Sequence, residues 1–151
     1  MTDLTTTAKR RLEELVSFFG INAEVSAALT DEGIMLDITT SPDTPRLIGF
    51  HGETLRAIEF LMNQIIKRAD GDSPRVSVDV AGYKLQRREL LEKEAREAAE
   101  RVTAAGAEEE LRPMNPAERR IVHMALRELP GITTESRGVD RERRIVILPA
   151  E

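Results

Sequence analysis

The chain has 151 residues, no cysteine and a formal net charge of -5, with 32 % of its residues charged. This length suits one ordinary domain or two small ones, and the lack of cysteine excludes disulfides, thiolate metal sites and thiol nucleophiles. Two histidines are too few for a histidine-rich metal site, so we expect no metal and no other cofactor. No apolar run approaches the roughly 18 residues of a membrane span, and residues 1–11 have no apolar signal core. We therefore expect a cytoplasmic protein without membrane insertion.

The charge is unevenly distributed along the chain. Residues 1–82 contain eight basic and thirteen acidic side chains, whereas residues 112–151 contain eight basic and six acidic ones. Attraction to a polyanion should therefore be local and concentrated near the C-terminus.

The first 82 residues show helix, strand and turn signals in a compact order. Apolar residues recur at helical spacing in two segments, and apolar and polar residues alternate in the predicted strands. The predicted elements are a helix at 5–19, strands at 21–29 and 34–40, a helical turn at 46–48, a helix at 53–69 and a strand at 76–80. This order predicts a small α+β unit.

The segment Gly49-Phe50-His51-Gly52 lies between two of these predicted helices. Glycine brings no Cβ, so the backbone here can approach a ligand closely. The loop also leads into a helix N-terminus, where free N–H groups favour phosphate oxygens. A tight helix-to-helix turn is the structural alternative.

Residues 83–105 read as one highly charged helix with a thin apolar stripe. The stripe consists of Leu91, Ala95, Ala98 and Val102. Gly106 and the three glutamates at 108–110 suggest a frayed joint, after which Pro113 opens a C-terminal unit.

A well-specified helix begins after Asn115. Asn115 is a good N-cap, Pro116 suits the first helical position, and Glu118 can close a capping box. At about 100° of rotation per residue, four apolar residues fall on one side of this helix. Four polar residues fall within an arc of roughly 100° on the other side. The apolar residues are Val122, Ala125, Leu126 and Leu129, and the opposite side holds Arg119, Arg120, His123 and Arg127.

Arg119 and His123 are four residues apart, so their side chains lie one above the other. A guanidinium beside an imidazole ring can hold a phosphate and stack on a nucleotide. A surface histidine paired with glutamate or solvent is the structural alternative. Strands are predicted at 132–137 and 143–148, and we expect their arginines to extend the Arg119 surface rather than only solubilise an edge strand. These arginines are Arg137, Arg141, Arg143 and Arg144.

Three segments carry a family resemblance. Residues 46–61, RLIGFHGETLRAIEFL, resemble the signature of a KH domain of the bacterial, type II topology. Residues 114–126 resemble the small nucleic-acid-binding domain named for its Arg-x-x-x-His motif, and residues 79–88 resemble the junction between the two. The chain is therefore identified as similar, over nearly its whole length, to the Jag or KhpB family of bacterial RNA-binding proteins.

The resemblance implies three segments. Residues 1–82 would form a KH-like domain with a three-stranded sheet and helices packed on one face. Residues 83–111 would form a connecting helix and joint, and residues 112–151 a small α/β domain carrying the Arg-x-x-x-His motif.

The resemblance also implies a function. It is single-stranded RNA binding, with single-stranded DNA as the alternative ligand, by a protein without enzymatic activity. Gly49 and Gly52 would clamp the nucleic-acid backbone, with Ile38, Ile48 and Leu55 as walls of a base-binding groove. Family roles include post-transcriptional regulation, cell division and envelope growth, with a small single-KH protein or a second copy as partner.

The loop departs from the family pattern, because Phe50 and His51 replace the usual basic residue and Glu53 follows. Phe50 is then either a stacking contact or an exposed loop aromatic, and protonated His51 would add charge at mildly acid pH. The competing function is a protein-interaction or dimerisation scaffold, in which only the C-terminal unit contacts nucleic acid. A nuclease using His123 as general base is disfavoured, because no carboxylate cluster for Mg²⁺ accompanies it.

Overall fold

The computed structural model describes residues 3–39 and 41–150, and the chain divides into two compact units, Met1–Lys84 and Leu85–Glu151. The first unit contains α1 (Leu4–Ser17), β1 (Val25–Thr30), β2 (Gly33–Ile38), α2 (Thr44–Ile48), α3 (Glu53–Ala69) and β3 (Val76–Val80). The helix α4 (Tyr83–Ala105) begins at the C-terminal end of this first unit. The second unit continues with β4 (Glu109–Glu110), α5 (Pro116–Leu126), β5 (Ile132–Arg137) and β6 (Arg144–Pro149).

Unit 1 is a three-stranded sheet with helices against one face, as the α+β prediction requires. The strand order is β1-β2-β3, with β1 antiparallel and β3 parallel to β2. The alternating apolar residues of β2 and β3 are buried with those of α1 and α3. Period-two alternation puts these side chains on one face, and burying them drives the packing of the helices.

The predicted first strand starts four residues too early. Ile21 is buried, but it lies in the connection before the strand. The strand itself begins at Val25, which pairs with Ile38, the last residue of β2. An apolar residue in a well-packed connection gives the same sequence signal as the first residue of a strand. Thr40, the predicted end of the second strand, lies outside the described residues.

The edge strand β3 is paired by side chains of α3 instead of by another strand. Asn63 donates from Nδ2 to the Val76 carbonyl at 2.6 Å and accepts from the Val76 N–H at 2.9 Å. Glu59 accepts from the Val78 N–H at 2.9 Å and is also contacted by Lys84 Nζ. These bonds occupy backbone groups that an exposed edge would present to another chain.

We expect Asn63→Ala to cost about 2 kcal/mol of stability, because two hydrogen bonds of about 1 kcal/mol each are lost at a half-buried site. The Val76 amide should then exchange with solvent much faster in hydrogen-exchange measurements. Gln64→Ala, an exposed change on the same helix, is the control. Unchanged exchange at Val76 would show that Asn63 does not protect this edge.

Unit 2 is an antiparallel sheet of order β4-β6-β5, covered on one face by α4 and α5. All four residues of the predicted α4 stripe are buried, and Ala99 joins them. Ile132, Ile145 and Ile147 supply the sheet side of this core. Val122 and Leu126 of α5 are buried as predicted, whereas Leu129 lies beyond the helix and is 39 % exposed.

The predicted frayed joint at 108–110 is wrong. Glu109 and Glu110 form β4, opposite Ile147 and Val146 of β6. Glutamate has low strand propensity, so nothing local indicates this strand. Ion pairs with arginines from other elements accompany it: Glu109 accepts two hydrogen bonds from Arg101, which lower the Glu109 pKa below its ordinary value.

No helix in the described part of the chain is long and apolar enough to cross a membrane.

Candidate nucleic-acid interface

The N-terminus of α5 is organised as the sequence predicts at Asn115 but not at Glu118. The Asn115 side chain accepts a hydrogen bond from the Glu118 N–H at 3.0 Å, and Pro116 occupies the first turn. The predicted capping box is wrong, because the Glu118 carboxylate is directed elsewhere. Its Oε1 accepts from Arg87 Nε of α4 at 2.8 Å.

The Arg87–Glu118 pair lies largely out of solvent, with side-chain exposures of 19 % and 6 %. The second oxygen of Glu118, Oε2, is buried and has no hydrogen-bond partner among the described residues. Leaving this buried carboxylate without its partner would be costly, so we expect Arg87 to contribute to the packing of α5 on α4. The signal for this pair is Arg87-Arg88 in the junction segment, but only the fold shows which arginine turns inward.

Arg119 and His123 lie on the same side of α5 and are each oriented by one contact. Arg119 is half-buried, and its Nη1 donates to the Met114 carbonyl at 2.7 Å. His123 is exposed, and its Nδ1 lies 2.6 Å from Thr134 Oγ1 of β5. Within the described residues, these are the side-chain hydrogen bonds of the two residues, so the other guanidinium N–H groups of Arg119 and the Nε2 of His123 have no partner there.

Arg120 and Arg127 are both exposed, as the prediction of a polar side of this helix requires. Arg127 Nε is 3.7 Å from the exposed Glu128 carboxylate, a weak surface contact. Among the described residues, neither Arg119 nor His123 has a carboxylate within ion-pair distance. The polar face of α5 is therefore locally cationic in an acidic chain.

The expectation that the hairpin arginines extend this surface is wrong for Arg137 and Arg144. Arg137 is bound by Glu108 and Glu135, and these hydrogen bonds raise its pKa above the ordinary value. Arg144 is bound by Glu110 and Glu142. Strand alternation puts Arg137 and Arg144 on the face opposite the α5 core, above the buried Val146.

Arg143 behaves differently from these two arginines. It is exposed, and its Nε donates to Ser136 Oγ at 2.8 Å. Ser136 and Thr134 are two residues apart on β5, so their side chains lie on the same face of the sheet. Thr134 was missed in the sequence, although its period-two relation to the buried Ile132 could have indicated that it faces α5.

The loop in unit 1 has both glycines in the left-handed region, with φ of 70° at Gly49 and 79° at Gly52. A Cβ at Gly49 would lie 2.2 Å from Thr54 Oγ1, and one at Gly52 would lie 2.8 Å from Tyr83 Cε1. Both positions therefore require glycine for packing, whatever the loop binds.

Between the glycines, the Phe50 and His51 rings stack at a centroid distance of 4.0 Å and an angle of 19°. Phe50 is 74 % exposed, and His51 has a left-handed backbone with φ of 49°, a conformation that histidine tolerates better than most residues. The loop carbonyl of His51 accepts from Arg56 Nη1 at 3.4 Å. The next helix, α3, starts without a side-chain cap.

Two of the predicted groove walls are core residues. Ile38 is 1 % and Leu55 is 2 % exposed, so neither can line an open groove, while Ile48 is half-buried. An apolar residue that lines a ligand groove and one that packs in the core give the same sequence signal. The burial of Ile38 and Leu55 assigns both to the core. Within the described residues, no cluster of three or more histidine, aspartate or glutamate side chains could hold a metal ion.

Comparison with known proteins adds two findings. Residues 89–149, from within α4 to the end of β6, match the domain family named for its Arg-x-x-x-His motif. Three relatives that are called RNA-binding protein KhpB match about nine-tenths of the chain. In Clostridium symbiosum the identity is 29 % over 137 residues, covering 90 % of this chain and 62 % of that protein. In Streptococcus pneumoniae D39 it is 27 % over 136 residues, covering 90 % and 41 %.

The relative from Bacillus subtilis strain 168 is 30 % identical over 142 residues, which cover 93 % of this chain and 68 % of that protein. The chain belongs to the KhpB family. It spans 62 % and 41 % of the lengths of the KhpB proteins from Clostridium symbiosum and Streptococcus pneumoniae. The resemblance to the KhpB family seen in the sequence is thereby confirmed, and so is its Arg-x-x-x-His domain.

Proposed function

We propose that this chain binds single-stranded RNA, with the polar face of α5 as one contact and the Gly49–Gly52 loop as another. The proposal rests on which groups contact the side chains of Arg119 and His123. Each is oriented by a neutral oxygen, and neither is neutralised by a carboxylate within the described residues. KhpB relatives are named as RNA-binding proteins, which supports the same ligand.

The chemistry of the α5 face suits a nucleotide. Arg119 would direct its free N–H groups at phosphate oxygens, forming charge-assisted hydrogen bonds. His123 would donate from Nε2 or stack its ring on a base, with Arg120 and Arg127 adding positive charge on the rim. RNA is preferred over single-stranded DNA because the relatives are named as RNA-binding proteins.

Unit 1 would be a KH-like domain of type II topology, spanning residues 1–82. The motif domain would extend beyond the expected 112–151 to include α4 and β4, which share its core and its sheet. The order β1-β2-β3, with one antiparallel and one parallel pair, and the glycine loop between α2 and α3 support the assignment of unit 1. The uncapped N-terminus of α3 would offer its N–H groups to the RNA backbone beside Gly49 and Gly52.

Phe50 and His51 give this loop a different character from a basic clamp. The exposed Phe50 ring, already stacked on the His51 ring, would offer its other face to a base. Base stacking tolerates any sequence, because every base has a π-face. Binding of one strand by both units would raise the overall affinity through effective concentration.

The proposed role is non-enzymatic RNA binding in the cytoplasm, in post-transcriptional regulation. A small single-KH protein or a second copy of the chain would be the protein partner. The alternative is that unit 1 serves only as an interaction scaffold. Glu53 beside a loop without lysine or arginine favours this alternative, as does the 74 % exposure of Phe50.

The loop is best tested by changing charge without changing shape. Phe50→Asp/His51→Asp puts two carboxylates at the loop, and Phe50→Asn/His51→Asn is its neutral control of equal size. Both residue types tolerate the left-handed backbone of position 51. Substitution of Gly52 is a poorer test, because any Cβ there meets the Tyr83 ring.

We expect the double-aspartate chain to bind a mixed-sequence single-stranded RNA about tenfold more weakly than the double-asparagine chain, as fluorescence anisotropy would measure. The asparagine chain should itself lose affinity relative to the native chain if Phe50 stacks on a base. Equal affinities of all three chains would remove the loop from the RNA site and favour the scaffold.

A further inference from the structure

Four hydrogen bonds, linked by short backbone segments, join the α5 face to the β5–β6 hairpin. Arg119 Nη1 donates to the Met114 carbonyl, and the Met114 N–H donates to the Arg143 carbonyl at 3.1 Å. Arg143 Nε donates to Ser136 Oγ. Two residues along β5, Thr134 Oγ1 contacts His123, which lies one turn from Arg119 on α5.

The Arg143 backbone carbonyl binds the N–H of Met114 and the Arg119 guanidinium binds its carbonyl, so the backbone of Arg143 lies close to the Arg119 side chain. The tight hairpin contributes to this placement. Gly138 has φ of 93°, and a Cβ there would lie 2.8 Å from the Glu142 carbonyl oxygen, so the chain turns back sharply before Arg143. The side chain of Arg143 is then held along β5 on the same face as Thr134.

Charge pairing separates Arg143 from the two arginines on the other face of the hairpin. Arg137 and Arg144 each contact two carboxylates, whereas Arg143 contacts a hydroxyl and has no carboxylate partner in the described part of the chain. A hydroxyl orients a guanidinium without neutralising its charge. Arg119 and His123 are oriented in the same way, by a carbonyl and a hydroxyl.

We propose that Arg143 is a third nucleic-acid-contacting residue of the α5 face, which binds the phosphate next to the one held by Arg119 and His123. Ser136 and Thr134 act as positioning residues for Arg143 and His123. An extended RNA strand would thus run beside the edge strand β5, with one phosphate on α5 and the next on the hairpin. This inference rests on the proposed RNA binding.

Arg143→Gln tests the contact, and Arg137→Gln is the matched control, since Arg137 belongs to the same hairpin but lies on the opposite face of the sheet. We expect Arg143→Gln in the full chain to weaken binding of a single-stranded RNA about fivefold and to reduce the slope of log K against log[salt] by about 0.7, the value for one phosphate contact. Arg137→Gln should leave both quantities unchanged.

The positioning role is tested by Ser136→Ala against Ser136→Thr. The alanine chain should lose part of the Arg143 contribution, and the threonine chain should retain it because the hydroxyl remains. A purely structural role would lower thermal stability without changing the salt slope. Equal salt slopes for Ser136→Ala and the native chain would remove Ser136 from the site.

The failure of this inference can be told from failure of the proposed function. If Arg119→Ala/His123→Ala abolishes binding while Arg143→Gln keeps the native affinity and salt slope, then RNA binds α5 but Arg143 does not take part. If the Arg119/His123 variant binds as well as the native chain, the α5 face itself is not the site. A loss of affinity in Arg143→Gln without a change in slope also overturns the phosphate contact.

Discussion

Replacing Arg119 and His123 together by alanine should weaken single-stranded RNA binding by roughly 30- to 150-fold, equivalent to about 2–3 kcal/mol. The reason is that charge-assisted hydrogen bonds to phosphate are stronger than neutral ones, and the α5 face offers two oriented donors in one place. Fluorescence anisotropy across a salt series would measure both the affinity and the slope of its salt dependence.

The control for this prediction removes the same kind of charge elsewhere. Lys67 and Arg68 are exposed at the end of α3 in unit 1, and Lys67→Ala/Arg68→Ala takes two basic side chains from the chain. We expect this control to bind RNA within about twofold of the native chain, since Lys67 and Arg68 lie at the opposite end of α3 from the Gly49–Gly52 loop. Similar losses in both variants would mean that net charge, and not the α5 face, governs binding.

Arg87→Met should have the largest effect on the stability of unit 2, with a loss of about 3 kcal/mol. The substitution leaves the Glu118 carboxylate buried, with neither oxygen paired by the described residues. Breaking a buried ion pair from one side is much more costly than removing a surface pair. Hydrogen exchange of the α5 amides would report the loss in the unit concerned.

Two companion variants make this prediction specific. Arg88→Met removes the neighbouring arginine, whose 63 % exposed side chain pairs with Glu92 on the surface, and should cost less than about 1 kcal/mol. Arg87→Met/Glu118→Leu removes both charges and should recover much of the lost protection. If the double variant is as unstable as Arg87→Met alone, the cost lies in lost packing of the arginine stem instead of the unpaired carboxylate.

Local patterning is sufficient for the elements whose signals lie within one segment. Helices α3 and α4 have the predicted bounds, because their apolar spacing and end signals agree. The strand pair β5 and β6 follows from alternation around a glycine-containing turn. Asn115 caps α5 for the same reason, since its side chain and the N–H it accepts from are only three residues apart.

Features that depend on residues distant in sequence could not be predicted from such local patterns. Strand β4 exists because β6 offers a free edge, and its glutamates are then matched by Arg101 and Arg144. The apolar pattern around the loop could not separate Ile38 and Leu55, which are core, from an exposed groove wall. Whether an apolar residue is covered by the core or open to a ligand depends on the assembled unit, because its spacing within one segment is the same in both cases.

The sequence by itself determined the α+β class, the helix carrying Arg119 and His123, and the membership in the KhpB family. Only the tertiary structure decided which charges are free. Arg137, Arg143 and Arg144 cannot be told apart in the sequence. In the structure, Arg137 and Arg144 are each neutralised by two carboxylates, whereas Arg143 binds a hydroxyl. The physical reason is that the partner of a side chain is set by spatial proximity, which the fold creates between residues far apart in the chain.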